Sequence, residues 1–177
     1  MISVGILGGS GYTGAELMRL CASHPDLEVR FATGDSQAGT SVASLYPSLA
    51  AAYRDTVYVP WSTALLDEVE VLFVALPHGH SQQVMGDVLG RVRVVVDLGA
   101  DFRIPDPAVY EAWYHEPHQR PDLLDQFVYG LPELDREPLR GARAVANPGC
   151  YPTAASLALA PLVRTGLVEP EGLVVDA

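Results

Sequence analysis

The sequence contains no lysine, and all 11 of its basic residues are arginine. This absence excludes a Walker-type phosphate loop, a Schiff-base lysine and a Tyr-x-x-x-Lys dehydrogenase pair within these 177 residues. Aspartate and glutamate number 22, so the formal net charge is −11. Because nucleic acids and anionic membranes repel such a chain, we expect neither as a partner.

Cysteines and long apolar runs are scarce as well. The two cysteines, Cys21 and Cys150, stand in unlike settings, which argues against a disulfide framework, and Cys21 lies on an apolar helical face typical of a core. No apolar run approaches the roughly 20 residues of a membrane-spanning helix. The N-terminus lacks the basic region of a signal peptide. We therefore expect a cytoplasmic protein.

A glycine-rich stretch follows the first predicted strand. Residues 2–7 are apolar, residues 15–23 have helical periodicity, and residues 27–33 form a second apolar segment. The glycines between the first strand and the helix fit both the G-x-G-x-x-G and the G-x-x-G-x-x-G spacing, which predicts a turn that binds the pyrophosphate of a dinucleotide. The predicted contacts are Gly8, Gly9, Ser10, Gly11, Tyr12, Thr13 and Gly14.

The end of the second strand is expected to contact the adenosine ribose. Asp35 lies near the distance at which a carboxylate accepts a hydrogen bond from the 2′-hydroxyl of NAD, although a turn residue after Gly34 is an equal interpretation. Thr33, Ser36 and Gln37 could instead donate to the 2′-phosphate of NADP. No arginine follows the strand directly, so the usual partner of that phosphate is missing.

Apolar segments continue to alternate with helical ones. Strands are predicted at residues 56–59, 69–76, 92–98, 142–146 and 173–177, and helices at 82–89, 108–114 and 153–163, with Ser81 as a helix cap. Several strands are apolar on both faces, which is typical of a parallel sheet covered on both sides. The predicted fold class is therefore α/β, with a dinucleotide-binding Rossmann sheet.

Cys150 stands where the predicted strand 142–146 gives way to the predicted helix 153–163. Pro148 and Gly149 force a turn between them, and Pro152 suits the first turn of a helix. Free backbone N–H groups and the helix dipole favour an anion at such a place, and a thiolate is the nucleophilic form of cysteine. We interpret Cys150 as a candidate nucleophile.

Arg103 follows the strand 92–98, at the sheet edge where open parallel sheets bind ligands. It is expected either to bind an anion or to form a salt bridge with Asp101 or Asp106. His115 and His118 are spaced like a metal pair, but no second pair of ligands matches them. We interpret both histidines as surface residues and predict no metal site.

Five blocks of sequence, taken together, resemble N-acetyl-gamma-glutamyl-phosphate reductase (type 1), a family related to aspartate-semialdehyde dehydrogenase. The match runs in order along the whole chain, which makes it more specific than any single block. The blocks are Gly8-Gly9-Ser10-Gly11-Tyr12-Thr13-Gly14, Ala75-Leu76-Pro77-His78-Gly79, Asp97-Leu98-Gly99-Ala100-Asp101-Phe102-Arg103, Tyr129-Gly130-Leu131-Pro132-Glu133-Leu134 and Asn147-Pro148-Gly149-Cys150-Tyr151-Pro152-Thr153.

The resemblance implies NADPH-dependent reduction of N-acetyl-L-glutamyl 5-phosphate to N-acetyl-L-glutamate 5-semialdehyde, with release of phosphate, in arginine biosynthesis. It implies that Cys150 forms a thioester with the substrate and that Arg103 and Asn147 hold the substrate phosphate. The further NADP contacts expected on this basis are Thr33, Ser36, Leu76 and Pro77. The loop that carries Asp35 departs from the family, in which many members have serine or arginine there.

Residues 1–149 are expected to form the dinucleotide-binding domain, and residues 150–177 the start of a truncated α+β catalytic domain. The resemblance places the catalytic histidine beyond residue 177, so we expect the chain alone to bind cofactor without turnover. The full-length enzyme is expected to be a homo-oligomer acting on a small-molecule substrate. The alternatives are a reductase of aspartyl phosphate or carrier-bound aminoadipyl phosphate, a non-catalytic dinucleotide-binding module, and a thiol hydrolase.

Overall fold

Six parallel strands form one sheet in a computed structural model of the protein, which describes residues 1–176. The strands are β1 (Ile2–Leu7), β2 (Leu27–Ala32), β3 (Val71–Val74), β4 (Val94–Asp97), β5 (Val128–Tyr129) and β6 (Ala144–Ala146). Their order in the sheet is β2-β1-β3-β4-β6-β5, and every neighbouring pair is parallel. The predicted α/β class with a parallel Rossmann-like sheet is confirmed.

Helices connect the strands. They are α1 (Tyr12–Ser23), α2 (Val42–Leu45), α3 (Ala50–Tyr53), α4 (Ser81–Val88), α5 (Pro107–Tyr114) and α6 (Cys150–Arg164), with 3-10 turns at Pro47–Leu49, Thr63–Glu68 and Pro121–Gln126. None of the described helices is long and apolar enough to cross a membrane.

Side chains of one strand alternate between two apolar clusters. Leu72 and Val74 of β3 belong to one cluster, whereas Val71 and Phe73 pack against the other. Because successive side chains of a strand point to opposite faces, the two clusters lie on opposite faces of the sheet. Helix α4 contributes buried residues to the first cluster and α1 to the second. The sheet is thus covered on both sides, as its apolar strands predict.

The predicted strand at residues 56–59 is wrong. This segment forms two isolated bridges, an antiparallel one between Val57 and Ser41 and a parallel one between Val59 and Thr33. Because the two bridges join different segments in opposite directions, no continuous ladder of hydrogen bonds can form.

The predicted strand at residues 173–177 is wrong over 173–176, which have no regular secondary structure, and Ala177 lies outside the described residues. A strand needs a neighbour to satisfy its backbone N–H and C=O groups, and no part of residues 1–176 pairs with this segment. Strand β5 was not predicted because two residues are too few to show a period.

The glycine turn between β1 and α1 is closely packed around Gly14, which is buried in the first turn of α1. A Cβ at Gly14 would overlap the carbonyl oxygen of Gly8 and the Cα of Gly9, and both are backbone atoms. Gly11 is the N-cap of α1, and a Cβ there would meet only the Gly8 oxygen, at 3.5 Å. The turn therefore requires glycine at 14 for packing, while its exposed side stays open to a ligand.

We expect Gly14→Ala to lower the free energy of unfolding by about 2–3 kcal/mol, because the methyl group has no room between fixed backbone atoms. Gly11→Ala is the matched control, and its cost is that of a poorer N-cap, about 1 kcal/mol or less. Urea unfolding of both variants measures the difference. Equal stability of the two variants would contradict the packing described here.

Candidate functional site

A cleft of about 820 Å³ lies at the carboxyl ends of β1, β2 and β3. Open parallel sheets bind ligands at this edge, and the volume lies within the range of small-molecule sites. Seven of the predicted cofactor residues line the cleft, namely Gly8, Ser10, Gly11, Thr13, Thr33, Leu76 and Pro77. The structure thus brings together residues from the glycine turn, the end of β2 and the end of β3.

Four other predicted cofactor residues do not line the cleft: Gly9, Tyr12, Gly14 and Ser36. The two glycines are buried and allow β1, β2 and α1 to pack closely. Tyr12 and Ser36 are exposed to solvent. These residues shape the turn or lie beside it, and a direct contact of Tyr12 or Ser36 with a cofactor stays a prediction.

Thr33 lines the cleft and is almost fully buried. Its Oγ1 accepts a hydrogen bond of 2.9 Å from the N–H of Gly8. Its carbonyl oxygen accepts another, of 3.3 Å, from the N–H of Ser10. The end of β2 therefore fixes the conformation of the glycine turn.

One wall of the cleft was not predicted from the sequence; it consists of Pro60, Trp61, His80, Gln83 and Val84. Trp61 follows the segment 56–59, which forms isolated bridges where a strand is predicted from the sequence. His80 and Gln83 are three residues apart at the start of α4, so they share a helix face. The spacing of three residues between His80 and Gln83, in the helical segment after Pro77, is the signal from which this face could have been predicted.

Cys150 is the first residue of α6 and is exposed. The helix begins three residues before the predicted residue 153, because Gly149 has the extended conformation of an N-cap (φ −71°, ψ 162°). Pro152 has no N–H, and the N–H of Thr153 donates to the Gly149 oxygen at 3.0 Å. The N–H groups of Cys150 and Tyr151 therefore have no acceptor within the helix and remain as donors beside the thiol.

The guanidinium group of Arg103 lies beside the turn that precedes α6. Its Nε donates to the carbonyl oxygen of Asn147 and its Nη2 to that of Leu98, both at 2.8 Å. Its Nη1 lies 3.0 Å from the position that a Cβ of Gly149 would occupy. The alternative salt bridge to Asp101 or Asp106 is not formed within residues 1–176. Since both of its bonded partners are neutral carbonyls, the guanidinium retains its charge for an anion.

Asn147 uses its backbone to join neighbouring strands. Its N–H donates to the carbonyl oxygen of Asp97 at 2.8 Å, and its carbonyl accepts from Arg103. Its side-chain Nδ2 donates to the carbonyl oxygen of Pro148 at 3.1 Å, so the amide stabilises the turn. A contact of this side chain with substrate stays a prediction.

Asp97 is the last residue of β4, and its side chain is fully buried. Its Oδ1 accepts hydrogen bonds from the Ser81 hydroxyl at 2.8 Å and from the Gly99 N–H at 3.1 Å. Its Oδ2 has no partner among the described residues. Burial raises the pKa of Asp97 to about 6, although the bond from Ser81 opposes this shift. The predicted capping role of Ser81 is wrong, because its hydroxyl is committed to this carboxyl and His80 is the N-cap.

Asp101 holds the start of α4 from the loop that carries Arg103. Its carboxylate is buried and accepts from the N–H groups of Gly79 at 2.8 Å and Gln82 at 3.2 Å. Its carbonyl oxygen lies 2.9 Å from Nε2 of His118. The loop that carries Arg103 and the wall of the cleft formed by the start of α4 are thereby joined.

The interpretation of His118 as a surface residue is wrong. Its ring is buried against Phe102 and Tyr110. The N–H of Arg120 donates to its Nδ1 at 3.1 Å, so its Nε2 carries the proton that the Asp101 oxygen accepts. Burial lowers the pKa of His118. Within residues 1–176, no group of three or more His, Cys, Asp or Glu side chains is arranged to hold a metal ion.

The family of the chain follows from comparison with known proteins. Residues 3–142 match the profile described as Semialdehyde dehydrogenase, NAD binding domain. The chain belongs to this family. It is 53% identical over 178 residues to the N-acetyl-gamma-glutamyl-phosphate reductase of Desulforudis audaxviator, with 100% of the chain and 51% of the relative covered. It is 49% identical over 176 residues to the enzyme of the same name from Symbiobacterium thermophilum, with 99% of the chain and 50% of the relative covered.

The chain thus spans about half the length of the curated relatives that it matches. The predicted resemblance to the N-terminal part of N-acetyl-gamma-glutamyl-phosphate reductase is confirmed. Among solved structures, aspartate-semialdehyde dehydrogenase with NADP from Candida albicans has a TM-score of 0.65 at 15% identity, covering 93% of this chain and 47% of that one. The aspartate-semialdehyde dehydrogenase of Francisella tularensis has a TM-score of 0.64 at 15% identity, covering 94% of this chain and 42% of that one. At this identity the likeness shows the fold.

The raised pKa of Asp97 predicts a pH dependence of stability. An aspartate of an unfolded chain ionises near pH 3.9, and Asp97 in the folded protein near pH 6. The contribution of this group to stability is therefore fully present below about pH 4 and is lost as the pH rises through about 6.

We expect the stability of the wild type to fall by on the order of 2 kcal/mol relative to Asp97→Asn over that interval. The Asn variant, which does not titrate, serves as the reference for all other ionisable groups. Urea unfolding at a series of pH values measures the difference. Parallel pH profiles for the two proteins would show that Asp97 ionises normally.

The two cysteines should differ in reactivity. Cys150 is exposed, whereas Cys21 is buried and its burial raises its pKa. We expect iodoacetamide to alkylate Cys150 of the folded chain much faster than Cys21, and both at similar rates in urea. Peptide mass mapping at timed intervals measures both rates. Labelling of Cys21 at the rate of Cys150 in the folded protein would refute the assignment.

Proposed function

We propose that the chain is the N-terminal part of an enzyme that reduces N-acetyl-L-glutamyl 5-phosphate to N-acetyl-L-glutamate 5-semialdehyde, releasing phosphate, in arginine biosynthesis. One observation carries the proposal. The exposed thiol of Cys150 begins a helix beside Arg103, a guanidinium without a carboxylate partner among the described residues. This pair lies at the same edge of the sheet as the dinucleotide cleft. The names of the relatives support the choice of substrate.

The chemistry begins at the Cys150 sulfur. The thiolate attacks the acyl carbon of the acyl phosphate, a carbon–sulfur bond forms, and the carbon–oxygen bond to phosphate breaks. Arg103 neutralises the negative charge of the departing phosphate, and a planar guanidinium suits phosphate oxygens better than an ammonium does. The N–H groups of Cys150 and Tyr151 can stabilise the oxyanion that develops on the acyl oxygen. The product of this half of the reaction is a thioester on Cys150.

A nicotinamide dinucleotide fits the cleft, because the close-packed glycines leave the backbone turn open beside the start of α1. Gly8, Ser10, Gly11 and Thr13 would hold its pyrophosphate, and Leu76 and Pro77 would contact it from the end of β3. When bound, the nicotinamide supplies the hydride that reduces the thioester. NADPH is the form that the resemblance implies.

We also propose that Cys150 begins the catalytic domain, so that residues 1–149 form the dinucleotide-binding domain and 150–177 belong to the next. Helix α6 supports this boundary, because most of its residues are apolar and none of them is buried. The whole enzyme is proposed to be a homo-oligomer. The cytoplasm suits it, since its reducing conditions keep a nucleophilic thiol free.

The direct test is reduction of N-acetyl-glutamyl phosphate by the full-length protein with NADPH or NADH. We expect Cys150→Ser to abolish turnover, and Arg103→Ala to lower kcat/KM by roughly 100-fold or more, as for the loss of a charge-stabilising donor. Arg103→Lys should recover only part of the loss. Arg143→Ala, which removes an exposed arginine before β6, is the matched control and should have wild-type activity.

Binding of dinucleotide by each variant separates a local effect from misfolding. Arg103→Ala with unchanged kcat/KM would show that Arg103 neither binds the substrate phosphate nor positions Cys150 for the reaction. A higher kcat/KM for aspartyl phosphate would favour a sister reductase, and no turnover with any acyl phosphate would favour a non-catalytic module. The 177-residue chain alone should bind dinucleotide without turnover.

A further inference from the structure

The adenosine end of the cleft contains a carboxylate and no arginine or lysine. Asp35 follows the end of β2 and lines the cleft. Among the other lining residues, no arginine is present, and the sequence has no lysine. Arg30, the arginine of β2, is paired with Glu28 at 3.0 Å. A doubly charged phosphate placed here would face a like charge without a guanidinium to balance it.

The neutral donors near Asp35 are also poorly placed for a phosphate. The Thr33 side chain is buried, and its Oγ1 accepts a hydrogen bond from the N–H of Gly8, so the hydroxyl faces the glycine turn. Ser36 is exposed and lies outside the lining of the cleft. The Oε1 of Gln37 accepts from the Thr40 hydroxyl at 3.4 Å, which directs that side chain to its own turn. Of the three residues expected to donate to a 2′-phosphate, only Thr33 lines the cleft, and its side chain is buried.

The loop that carries Asp35 is held in place by backbone hydrogen bonds. The N–H of Gly34 donates to the carbonyl oxygen of Val59 at 3.1 Å, and the N–H of Gly39 to that of Tyr58 at 2.7 Å. Gly34 is buried, and a Cβ there would lie 3.1 Å from that of Tyr58. The carboxylate thus stands on a fixed loop at the place where ribose hydroxyls are bound in this type of fold.

Resting on the proposed function, we infer that the protein prefers NAD(H) to NADP(H), with Asp35 as the residue that determines the choice. The carboxylate accepts a hydrogen bond from the 2′-hydroxyl of the adenosine ribose and repels a 2′-phosphate. This reverses the NADP preference implied by the family resemblance, at the position where the sequence departs from that family.

The two tryptophans provide a binding assay that does not depend on activity. Trp61 lines the cleft, whereas Trp113 on α5 is 74% exposed. Trp113→Phe leaves Trp61 as the only tryptophan, and reduced dinucleotides quench its emission when they bind. In the 177-residue chain with this substitution, we expect NADH to bind about tenfold more tightly than NADPH or better. Raising the salt concentration should narrow the ratio, because it screens the repulsion.

Asp35→Asn tests the carboxylate itself in the same background. We expect it to raise NADPH affinity about tenfold and to change NADH affinity much less. Asp55→Asn, which removes an exposed aspartate outside the cleft lining, is the control and should leave the ratio unchanged. Tighter binding of NADPH than of NADH by the wild type, or a ratio unaffected by Asp35→Asn, would overturn this inference alone. Failure of both dinucleotides to bind would overturn the proposed function with it.

Discussion

The site depends on the two hydrogen bonds by which Arg103 joins the ends of β4 and β6. Its guanidinium bonds the carbonyl oxygens of Leu98 and Asn147, and the N–H of Asn147 bonds the carbonyl oxygen of Asp97. These bonds fix the turn that starts α6, because they hold the residue before Pro148 against the neighbouring strand. The same bonds leave a positive charge beside Gly149 with no carboxylate partner in the described part of the chain. The position of Cys150 and the positive charge near it are therefore both due to Arg103.

Two buried carboxyl groups connect this turn to the dinucleotide cleft. Asp97 bonds Ser81 at the start of α4, and Asp101 bonds the N–H groups of Gly79 and Gln82 just beside it. A carboxyl group removed from water must be compensated by hydrogen bonds, so each group restricts the segments that supply its donors. Since His80 and Gln83 of this region line the cleft, the network links one wall of the cleft to the loop that carries Arg103.

Elements with a strong local signal were predictable from the sequence. Strand β1, the glycine turn and the sheet class follow from an apolar run, a glycine spacing and alternating segments. The position of Cys150 at a helix start was predicted, although α6 begins three residues earlier than its apolar period suggests. Local sequence could not show that His118 is buried or that the Ser81 hydroxyl bonds Asp97, because both depend on side chains from other segments. Trp61 was not predicted for the same reason, because the cleft that it lines is also formed by the loop after β2 and by α4.

In the proposed reaction, the acyl group of the substrate is transferred to Cys150 before any reduction occurs. Mixing the full-length protein with N-acetyl-glutamyl phosphate in the absence of dinucleotide tests this directly, with intact mass, peptide mapping and phosphate release followed together. We expect one acyl group per chain on the peptide that contains Cys150, labile to hydroxylamine, and an equal amount of released phosphate. Phosphate release without acylation of Cys150, or acylation of another residue, would contradict it.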